Sequence, residues 1–319
     1  MMQTFGLFAL ARSMTANMAR ILMYHNFCGP ADTNPDAVST TSVRKQFEYL
    51  SRHFHVVSLA SIVEQLSSNQ PLGDRTVALT IDDGRRNCYE FLFPLLKEFG
   101  MPATFFVVSS FIRCEDWVWT DKVLWLSEQP FAPSELAPHR IEDFFRTLNQ
   151  MRPELRHARI ESVAREMNLS IPKQPPSKYA PCSWRELREM VDSGLVEIGS
   201  HTVTHPIFSS LTDEESWHEL TASRAQIEEG IGTRVVSFCF PNGKPGDYRQ
   251  NQVRQVKEAG YLTSLVSRPG MVHPGDDLYQ LARLGVGGRS DFLAFSKELD
   301  GVEHYQEKLE TSLHLRPQS

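Results

Sequence analysis

The chain has 319 residues, of which 41% are hydrophobic and 23% are charged, so it is long enough for one large α/β domain or two ordinary ones and lacks the composition of a disordered polymer. Its formal net charge is −6 and it contains no run of Lys and Arg, which excludes the electrostatic footprint of a nucleic-acid-binding protein. Five widely spaced cysteines without a C-x-x-C pair exclude a cysteine-held zinc site and favour free thiols in a reducing compartment.

The first residues include a short apolar stretch, Phe5 to Ala11, with no basic residue before it, which is unlike a secretory signal peptide. No segment of the sequence reaches the apolar length of a membrane span. We therefore expect a cytoplasmic protein without a transmembrane segment, in which residues 1–18 are poorly ordered and residues 19–319 form a single domain.

From residue 20 onward, short runs of β-forming residues alternate with segments of helical periodicity. The first half of the chain is predicted to contain four strands, at residues 20–24, 55–57, 76–81 and 103–108. Helices are predicted between these strands: one capped by Ser42, one over residues 59–66, and one over residues 94–99 that ends at Gly100.

The second half repeats this alternation with four more predicted strands, at residues 196–199, 235–240, 261–266 and 281–286. Two capping boxes, Ser183–Glu186 and Thr212–Glu215, predict the starts of two helices. The second of these helices is predicted to end near Glu229, and Asp247 is predicted to cap a third helix.

Alternation of strand and helix over this length indicates a parallel sheet covered by helices, and seven or eight such units predict an α/β fold, a distorted (β/α) barrel of the TIM type. Residues 121–180 interrupt the alternation with charged, Pro-rich and helix-forming sequence. We interpret them as a helical insertion that forms a lid or rim. In such barrels the chemistry lies at the carboxyl ends of the strands.

The first polar motif follows the strand predicted at residues 76–81. Asp82 and Asp83 are adjacent there, and Gly84 permits a sharp turn. Neighbouring carboxylates repel one another and are costly to bury unless a cation or a proton lies between them. The pair therefore indicates either a cation site or an ordinary exposed turn.

The second polar motif contains His201 and His205, which follow a predicted strand and are spaced so that both can reach one ion. Pro206 argues against a continuous helix through them, so they are predicted on a strand-end loop or a single turn. Taken alone, the pair slightly favours two surface histidines. With Asp83 as a third ligand they form the protein half of a catalytic metal site, and Asp82 is left free to act as a general base.

These motifs resemble, in the same order, those of the polysaccharide deacetylase family, also called the NodB homology family. The segment at residues 76–108, T-I-D-D-G through P-A-T-F-F-V, is similar to the first motif of that family. The run S-H-T-V-T-H-P is similar to the second motif, and F-C-F-P-N-G at residues 238–243 to the third. The opening L-M-Y-H at residues 22–25 also matches many bacterial members. The resemblance extends from about residue 20 to residue 286 and implies a distorted (β/α) barrel.

The resemblance implies a role for each matching residue. Asp82 would be the catalytic base, while Asp83, His201 and His205 would hold one divalent ion, most commonly Zn²⁺, with Co²⁺, Mn²⁺ or Ni²⁺ as alternatives. The acetyl pocket would be lined by a loop consisting of Pro241, Asn242 and Gly243. A backbone N–H of this loop would help to stabilise the oxyanion.

Two departures from the family pattern affect the remaining roles. Cys239 stands where many members carry an Arg that orients the base. Arg283, on the last predicted strand, either replaces that Arg or forms an ordinary strand-end salt bridge. The late L-x-H motif of the family, which supplies the general acid, has no clear match, because Leu313–Leu315 lies too near the C-terminus to form a barrel strand.

The general acid is expected on the far side of the metal ligands from the base. His25, at the end of the first predicted strand, and His273, in a loop flanked by Gly and Pro, are the two alternatives for the acid or for substrate contacts, and strand-end geometry favours His25. Trp119 could stack on a sugar ring or pack against the barrel.

The predicted function is hydrolysis of an N-acetyl group on a sugar of a surface polysaccharide or its precursor, so the expected substrate is an N-acetylated carbohydrate. Two alternatives stay open. One is removal of a formyl group, or hydrolysis of another small amide, on the same scaffold. The other is a degenerate barrel that binds glycan without turnover.

Overall fold

Seven parallel strands form a barrel in the computed structural model, which describes residues 10–30, 32 and 36–302. The strands in chain order are β1 (Arg20–Tyr24), β2 (Phe27–Cys28), β3 (Val38–Ser39), β4 (His55–Val56), β5 (Thr76–Ile81), β6 (Ala103–Val107), β7 (Val196–Ser200), β8 (Ser237–Cys239), β9 (Thr263–Pro269) and β10 (Leu281–Gly285). The barrel follows the order β1, β5, β6, β7, β8, β9, β10 and closes where β10 pairs with β1. β2 and β3 form a separate small sheet.

The barrel is distorted because its strands pair over unequal lengths. β1 pairs with β5 along its whole length, whereas β10 pairs with β1 only at Leu22–Leu284 and Met23–Gly285. β7 and β8 share the single pair Ser200–Phe238. β4 pairs with the first two residues of β5, before β6 begins to pair, and therefore lies outside the ring. The distorted barrel predicted from the sequence is confirmed.

Helices cover the outside of the barrel. They are α1 (Thr40–His53), α2 (Leu59–Ser67), α3 (Phe93–Phe99), α4 (Ser109–Ile112), α5 (Trp119–Ser127), α6 (Ile141–Asn149), α7 (Pro153–Glu166), α8 (Trp184–Asp192), α9 (Asp213–Ile231), α10 (Gln250–Glu258) and α11 (Phe292–Asp300). The main hydrophobic core draws residues from both layers, among them Phe47 and Leu96 of the helices and Phe105 and Phe238 of the strands. Burying each such side chain contributes about 1.5–3 kcal/mol, so this layer is what holds the helices on the barrel.

A second core cluster takes the alternate residues of the strands, including Ile21, Ala78, Phe106 and Leu265, and fills the barrel interior. Gly199 of β7 is required by this packing, because a Cβ there would lie 2.5 Å from the ring of Phe106. The barrel is therefore a packed core and not a channel, which leaves its carboxyl-end mouth as the place for chemistry.

Two helix caps differ from the prediction. α1 begins after Ser39, whose Oγ accepts the N–H of Ser42 at 3.2 Å, so Ser42 lies in the first turn and is not the cap. α10 begins after Arg249 and not after Asp247. The Asp247 carboxylate instead accepts the N–H of Lys244 at 2.8 Å and stabilises the loop after β8.

The two predicted capping boxes, Ser183–Glu186 and Thr212–Glu215, are both present. α9 continues to Ile231, two residues beyond its predicted end, and stops where Gly232 adopts a left-handed conformation with φ of 74°.

The helical insertion lies between β6 and β7, as predicted. α5, α6 and α7 enclose a cluster of their own that includes Val123, Leu148 and Ile160. The insertion returns to the barrel at Pro181, which forms an antiparallel bridge with Arg85 just after β5. This bridge places the insertion beside the Asp-Asp-Gly turn.

The expected disorder of residues 1–18 is contradicted over residues 10–18, which pack on the barrel. Ala11 and Thr15 are fully buried, and Arg12 donates a hydrogen bond to Asp300 of α11 at 3.2 Å. Residues 1–9, and the Leu313–Leu315 segment considered above, lie outside the described residues. Within the described part of the chain, every helix is too short or too polar to cross a lipid bilayer.

Candidate active site

The two polar motifs meet at the carboxyl ends of β5 and β7. Asp82 and Asp83 follow β5, His201 and His205 follow β7, and all four side chains are buried. Asp83 has a left-handed backbone with φ of 78°, so the two consecutive carboxylates face different neighbours. Such a conformation costs of order 1–3 kcal/mol at a residue other than glycine and persists where the surrounding structure enforces it, commonly at functional sites.

Asp83, His201 and His205 are arranged to hold one metal ion. The Oδ1 atom of Asp83 is 3.6 Å from Nε2 of His201 and 3.4 Å from Nε2 of His205. Atoms bound to one tetrahedral zinc ion at its usual bond lengths are separated by about 3.4 Å, so these three residues fit a divalent ion. The structure therefore brings together the three ligands predicted from the sequence.

His201 is held in the form that binds metal. Its Nδ1 lies 2.7 Å from the carbonyl oxygen of Cys239, so Nδ1 carries the proton and Nε2 keeps its lone pair toward Asp83. Burial lowers the pKa of His201 to about 4, although the charge of Asp82 opposes this effect. The ring is therefore neutral near physiological pH, as a metal ligand must be.

The loop that carries His205 is held by a buried carboxylate. Thr202 and His205 both have left-handed backbones, with φ of 75° and 56°, and the His205 N–H donates to Oγ1 of Thr202 at 2.9 Å. Glu219 of α9 accepts the N–H groups of Val203 and Thr204 at 2.7 and 3.1 Å. α9 thus fixes the turn between the two histidines.

Asp82 forms a bidentate ion pair with Arg283 of β10. Nη1 of Arg283 donates to Oδ1 and Nη2 to Oδ2, both at 2.8 Å, and both side chains are buried. Burial alone would raise the pKa of Asp82, but the charge and hydrogen bonds of Arg283 oppose it, and this pKa lies below its ordinary value. Asp82 is therefore ionised near neutral pH, and Arg283 contacts the predicted base instead of forming an ordinary strand-end salt bridge.

Cys239 lies against the same ion pair. Its Sγ is 3.6 Å from Oδ2 of Asp82 and 3.0 Å from Nη2 of Arg283. Asp82, His201 and Cys239 form a second group with ligand atoms close enough for a metal ion. Arg283 already supplies the positive charge at that place, and burial raises the pKa of the Cys239 thiol well above its ordinary value. We therefore place the predicted ion at Asp83, not at Cys239.

We expect Arg283→Met to move the acidic limb of the kcat/KM profile to higher pH. Without the guanidinium, burial is the dominant influence on Asp82, so the pKa of its carboxyl rises and the base becomes protonated at a higher pH. The measurement is the pH–rate profile beside that of Arg268→Met, a change of an exposed Arg on the neighbouring strand β9. Identical acidic limbs in the two variants would show that Arg283 does not tune Asp82.

The second oxygen of Asp83 is held by Arg85. Nη1 of Arg85 donates to Oδ2 of Asp83 at 2.5 Å, and the rest of the guanidinium donates to Asp121 of α5 at 2.6 and 3.1 Å. Burial would raise the pKa of Asp83, but Arg85 and His205 hold it well below its ordinary value. Burial raises the pKa of Asp121, and Arg85 opposes that rise. Asp83 therefore stays ionised, with its Oδ1 facing the histidines.

Sequence reasoning did not identify Arg85, Asp121 or Glu219. The signal for Arg85 is its position directly after the Asp-Asp-Gly turn, where a cation next to two carboxylates is an obvious partner. Asp121 and Glu219 occur among many other charged residues of helical segments, and spacing does not reveal that their side chains are buried.

His25 lies at the mouth of the barrel beside Asp82. It follows β1 directly, its Nε2 is 3.8 Å from Oδ2 of Asp82, and its side chain is 44% exposed. The proton donor is expected across the metal ligands from Asp82, whereas His25 is adjacent to that carboxylate. The residue is thus in the site, on the side of the predicted base.

His273 lies at the opposite end of the barrel. Its neighbour Val272 pairs with Ala19, which precedes the first residue of β1, whereas His25 follows the last. Five strand residues rise by about 17 Å, so the two histidines cannot share a substrate group. The prediction that His273 contacts substrate at the mouth is wrong, because the loop after β9 folds back along the barrel.

The loop of Pro241, Asn242 and Gly243 follows β8 at the same mouth as the predicted metal ligands. It is a tight turn in which the N–H of Gly243 donates to the carbonyl of Pro241 at 2.6 Å. The Asn242 side chain donates to Asp247 at 2.5 Å, and the carbonyl of Gly243 accepts the N–H of Ser267 on β9. The turn is therefore fixed at both ends, and its role in an acetyl pocket stays a prediction.

Trp119 is buried, with 9% of its surface exposed, and its ring is covered by the guanidinium of Arg156 at 4.6 Å from the ring centroid. The prediction that it stacks on a sugar is therefore wrong. α5 directs the indole inward, and its Nε1 donates to the backbone carbonyl of His205 at 3.0 Å.

The fold is a (β/α) barrel. Its mouth carries a cluster of two histidines and one aspartate, with a separate buried carboxylate beside it. This combination is typical of barrel proteins with a hydrolytic metal centre. The family model described as polysaccharide deacetylase matches residues 69–264, which is more than half of the chain. The chain belongs to the polysaccharide deacetylase family.

Known proteins resemble the chain over different lengths. The poly-β-1,6-N-acetyl-D-glucosamine N-deacetylase of Escherichia coli K12 is 36% identical over 83 residues, which are 26% of this chain but only 12% of that protein. The Streptococcus pyogenes deacetylase PplD, solved in complex with acetate, superposes with a TM-score of 0.61 at 16% identity over 89% of this chain and 99% of PplD.

A de-N-acetylase from Aggregatibacter actinomycetemcomitans superposes with a TM-score of 0.60 at 20% identity, covering 88% of this chain and 99% of its own. At these identities the two structures establish a shared fold.

Proposed function

We propose that the protein is a metal-dependent hydrolase that removes the acetyl group from an N-acetylated sugar. The observation that carries this proposal is that the mouth of the barrel has separate side chains for metal binding and for proton transfer. Asp83, His201 and His205 converge as ligands, while Asp82, held by Arg283, is left as an ionised carboxylate beside them. Membership of the polysaccharide deacetylase family supports the same reaction.

A divalent ion held by Asp83, His201 and His205 would supply a Lewis acid that polarises the amide carbonyl and acidifies water; Zn²⁺ is the ion we propose. Asp82 accepts the proton of the attacking water, since Arg283 fixes both carboxylate oxygens and keeps them ionised. The backbone N–H of Asn242 stabilises the negative charge that develops on the acetyl oxygen, since Pro241 has no N–H and that of Gly243 donates to the carbonyl of Pro241. The C–N bond then breaks, the nitrogen takes up a proton, and the products are acetate and a free amine.

An open groove of about 480 Å³ beside the Asp-Asp-Gly turn supports a polymeric substrate. Its lining includes Arg86, Gln174 and the half-buried ring of Trp184, which combine hydrogen-bond donors with an aromatic face, as sugar rings require. The N–H of Cys182, which lines the groove, donates to the carbonyl of Gly84 at 2.9 Å, so the groove wall contacts the Asp-Asp-Gly turn. We infer that neighbouring sugars of a chain lie there.

The proposed substrate is an oligomer or polymer of N-acetylglucosamine, which is the sugar named for the E. coli relative. The five cysteines are all free thiols, which supports action in the cytoplasm on a precursor of a surface polysaccharide.

Mass spectrometry of sugars incubated with Zn²⁺-loaded protein tests the function. We expect an N-acetylglucosamine oligomer to lose one acetyl mass per event, faster than the monosaccharide, and to lose none when a chelator is present. An N-formyl analogue, included in parallel, would be hydrolysed in preference if the protein is a deformylase. Retention of an oligomer without any mass loss would identify a glycan-binding barrel and contradict the proposal.

We keep His25 as the proposed proton donor for the leaving amine because it is a partly exposed histidine at the mouth of the barrel, although it lies beside Asp82 and not across the ligand cluster from it. We expect His25→Ala to lower kcat by roughly 10²–10⁴-fold, because the group that would protonate the leaving nitrogen is then missing. His273→Ala is the matched control, because that histidine lies at the other end of the barrel. Small and equal losses in both variants would exclude His25 as the acid.

A further inference from the structure

We propose that helix α5 of the insertion is a positioning element for the metal centre, acting through Asp121 on Asp83 and through Trp119 on His205. The inference rests on the proposed metal site at Asp83, His201 and His205. It assigns a role to two insertion residues that do not reach the substrate.

The first contact runs through Arg85. The guanidinium lies between two buried carboxylates, with Nη1 on Asp83 at 2.5 Å and with Nη2 and Nε on Asp121 at 2.6 and 3.1 Å. The two hydrogen bonds to Asp121 fix the plane of the Arg85 guanidinium, and the guanidinium in turn fixes Oδ2 of Asp83. Oδ1 is therefore the oxygen presented to the two histidines.

The charges of this group explain why a second carboxylate is needed. Asp83 and Arg85 alone would sum to zero, which would leave two neutral histidines and no net negative charge to attract a divalent cation. Asp121 restores one negative charge to the group. All three side chains are 5% exposed or less, so water does not screen these effects. Asp121 thus allows Arg85 to orient Asp83 without cancelling its charge.

The second contact holds the other side of the site. Nε1 of Trp119 donates to the backbone carbonyl of His205 at 3.0 Å, at a residue whose φ of 56° is left-handed. Trp119 and Asp121 both lie in the first turn of α5, so one rigid turn reaches two of the three ligands. The third ligand, His201, is held by the barrel itself through the carbonyl of Cys239.

It follows that the insertion is more than a lid or rim, because its first helix completes the environment of the metal ligands. Partners of this kind typically change metal affinity by roughly 10–100-fold when they are removed.

The test is calorimetric titration of metal-free protein with Zn²⁺, with thermal unfolding of each metal-free variant to verify folding. We expect Asp121→Asn to raise the Kd for Zn²⁺ by roughly 10–100-fold and Trp119→Phe to raise it by a smaller factor. Asp116→Asn is the matched control, since Asp116 pairs with Lys122 of the same helix at 2.6 Å but reaches no ligand. Its Kd should equal that of the wild type.

The double variant Arg85→Gln with Asp121→Asn distinguishes two reasons for weaker Zn²⁺ binding: a changed charge around Asp83, or a disrupted helix α5. It leaves no uncompensated buried cation, so it should fold even if Asp121→Asn does not, and it should bind Zn²⁺ more tightly than Asp121→Asn alone. The role proposed for α5 would be overturned if Asp121→Asn folded and kept the wild-type Kd for Zn²⁺. It would also be overturned if Asp116→Asn raised this Kd by the same factor. Neither result would contradict the metal site itself. A wild-type protein that binds no Zn²⁺ would overturn both.

Discussion

Asp82→Asn should abolish most of the turnover, by roughly 10²–10⁴-fold, while the metal remains bound. Asparagine has nearly the same shape as aspartate but cannot accept a proton from water. Asp82 is not among the three ligand residues, and its nearest charged partner is Arg283 at 2.8 Å, so the ligand cluster should survive the change. The measurements are kcat on an N-acetylglucosamine oligomer and the metal content of the purified variant.

The control for this variant is Asp143→Asn, because Asp143 is 68% exposed in the insertion and far from any ligand contact. Its kcat should match that of the wild type. Near wild-type turnover in Asp82→Asn would make Asp82 a structural residue and refute the proposed mechanism. Loss of both metal and turnover would instead assign Asp82 to metal binding.

His201→Ala is expected to remove bound metal and turnover together. One of three protein ligands is lost, and the remaining pair, Asp83 and His205, cannot define a tetrahedral site. We expect the metal content after dialysis to fall from about one ion per chain to near zero, and activity to fall with it. His218→Ala is the matched control, since His218 is an exposed histidine of α9.

Unchanged metal content in His201→Ala would disprove the ligand assignment. Addition of excess Zn²⁺ distinguishes weakened binding from a broken site: partial recovery of turnover at high metal concentration would show that His201 serves affinity, and no recovery would show that it also shapes the reaction.

The sequence predicts where the main site residues lie, because the polar motifs directly follow the predicted barrel strands. The strand Thr76–Ile81 was predicted to the residue, and from it the places of Asp82 and Asp83 follow. Both capping boxes were also predictable, since each is a local interaction between residues three positions apart.

Interactions between distant segments could not be predicted in the same way. The sequence carries no sign that Trp119 points inward or that Asp121 meets Arg85, because both depend on how the insertion docks. The placement of His273 failed for the same reason. A loop flanked by Gly and Pro can fold toward either end of a barrel, and the pairing of Val272 with Ala19 decides between them.

The ion pair between Asp82 and Arg283 joins residues that are 201 positions apart. Arg283 belongs to β10, the strand that closes the barrel. The three proposed ligands, in contrast, all lie at or before residue 205. A growing chain therefore contains the proposed ligands before it contains the strand that orients the proposed base. On our proposal, the ligand cluster can be ordered once β8 supplies the carbonyl of Cys239 to His201, whereas the base is oriented only when β10 joins β1. A chain without β10 would therefore contain the proposed ligands but would lack the guanidinium that orients the proposed base.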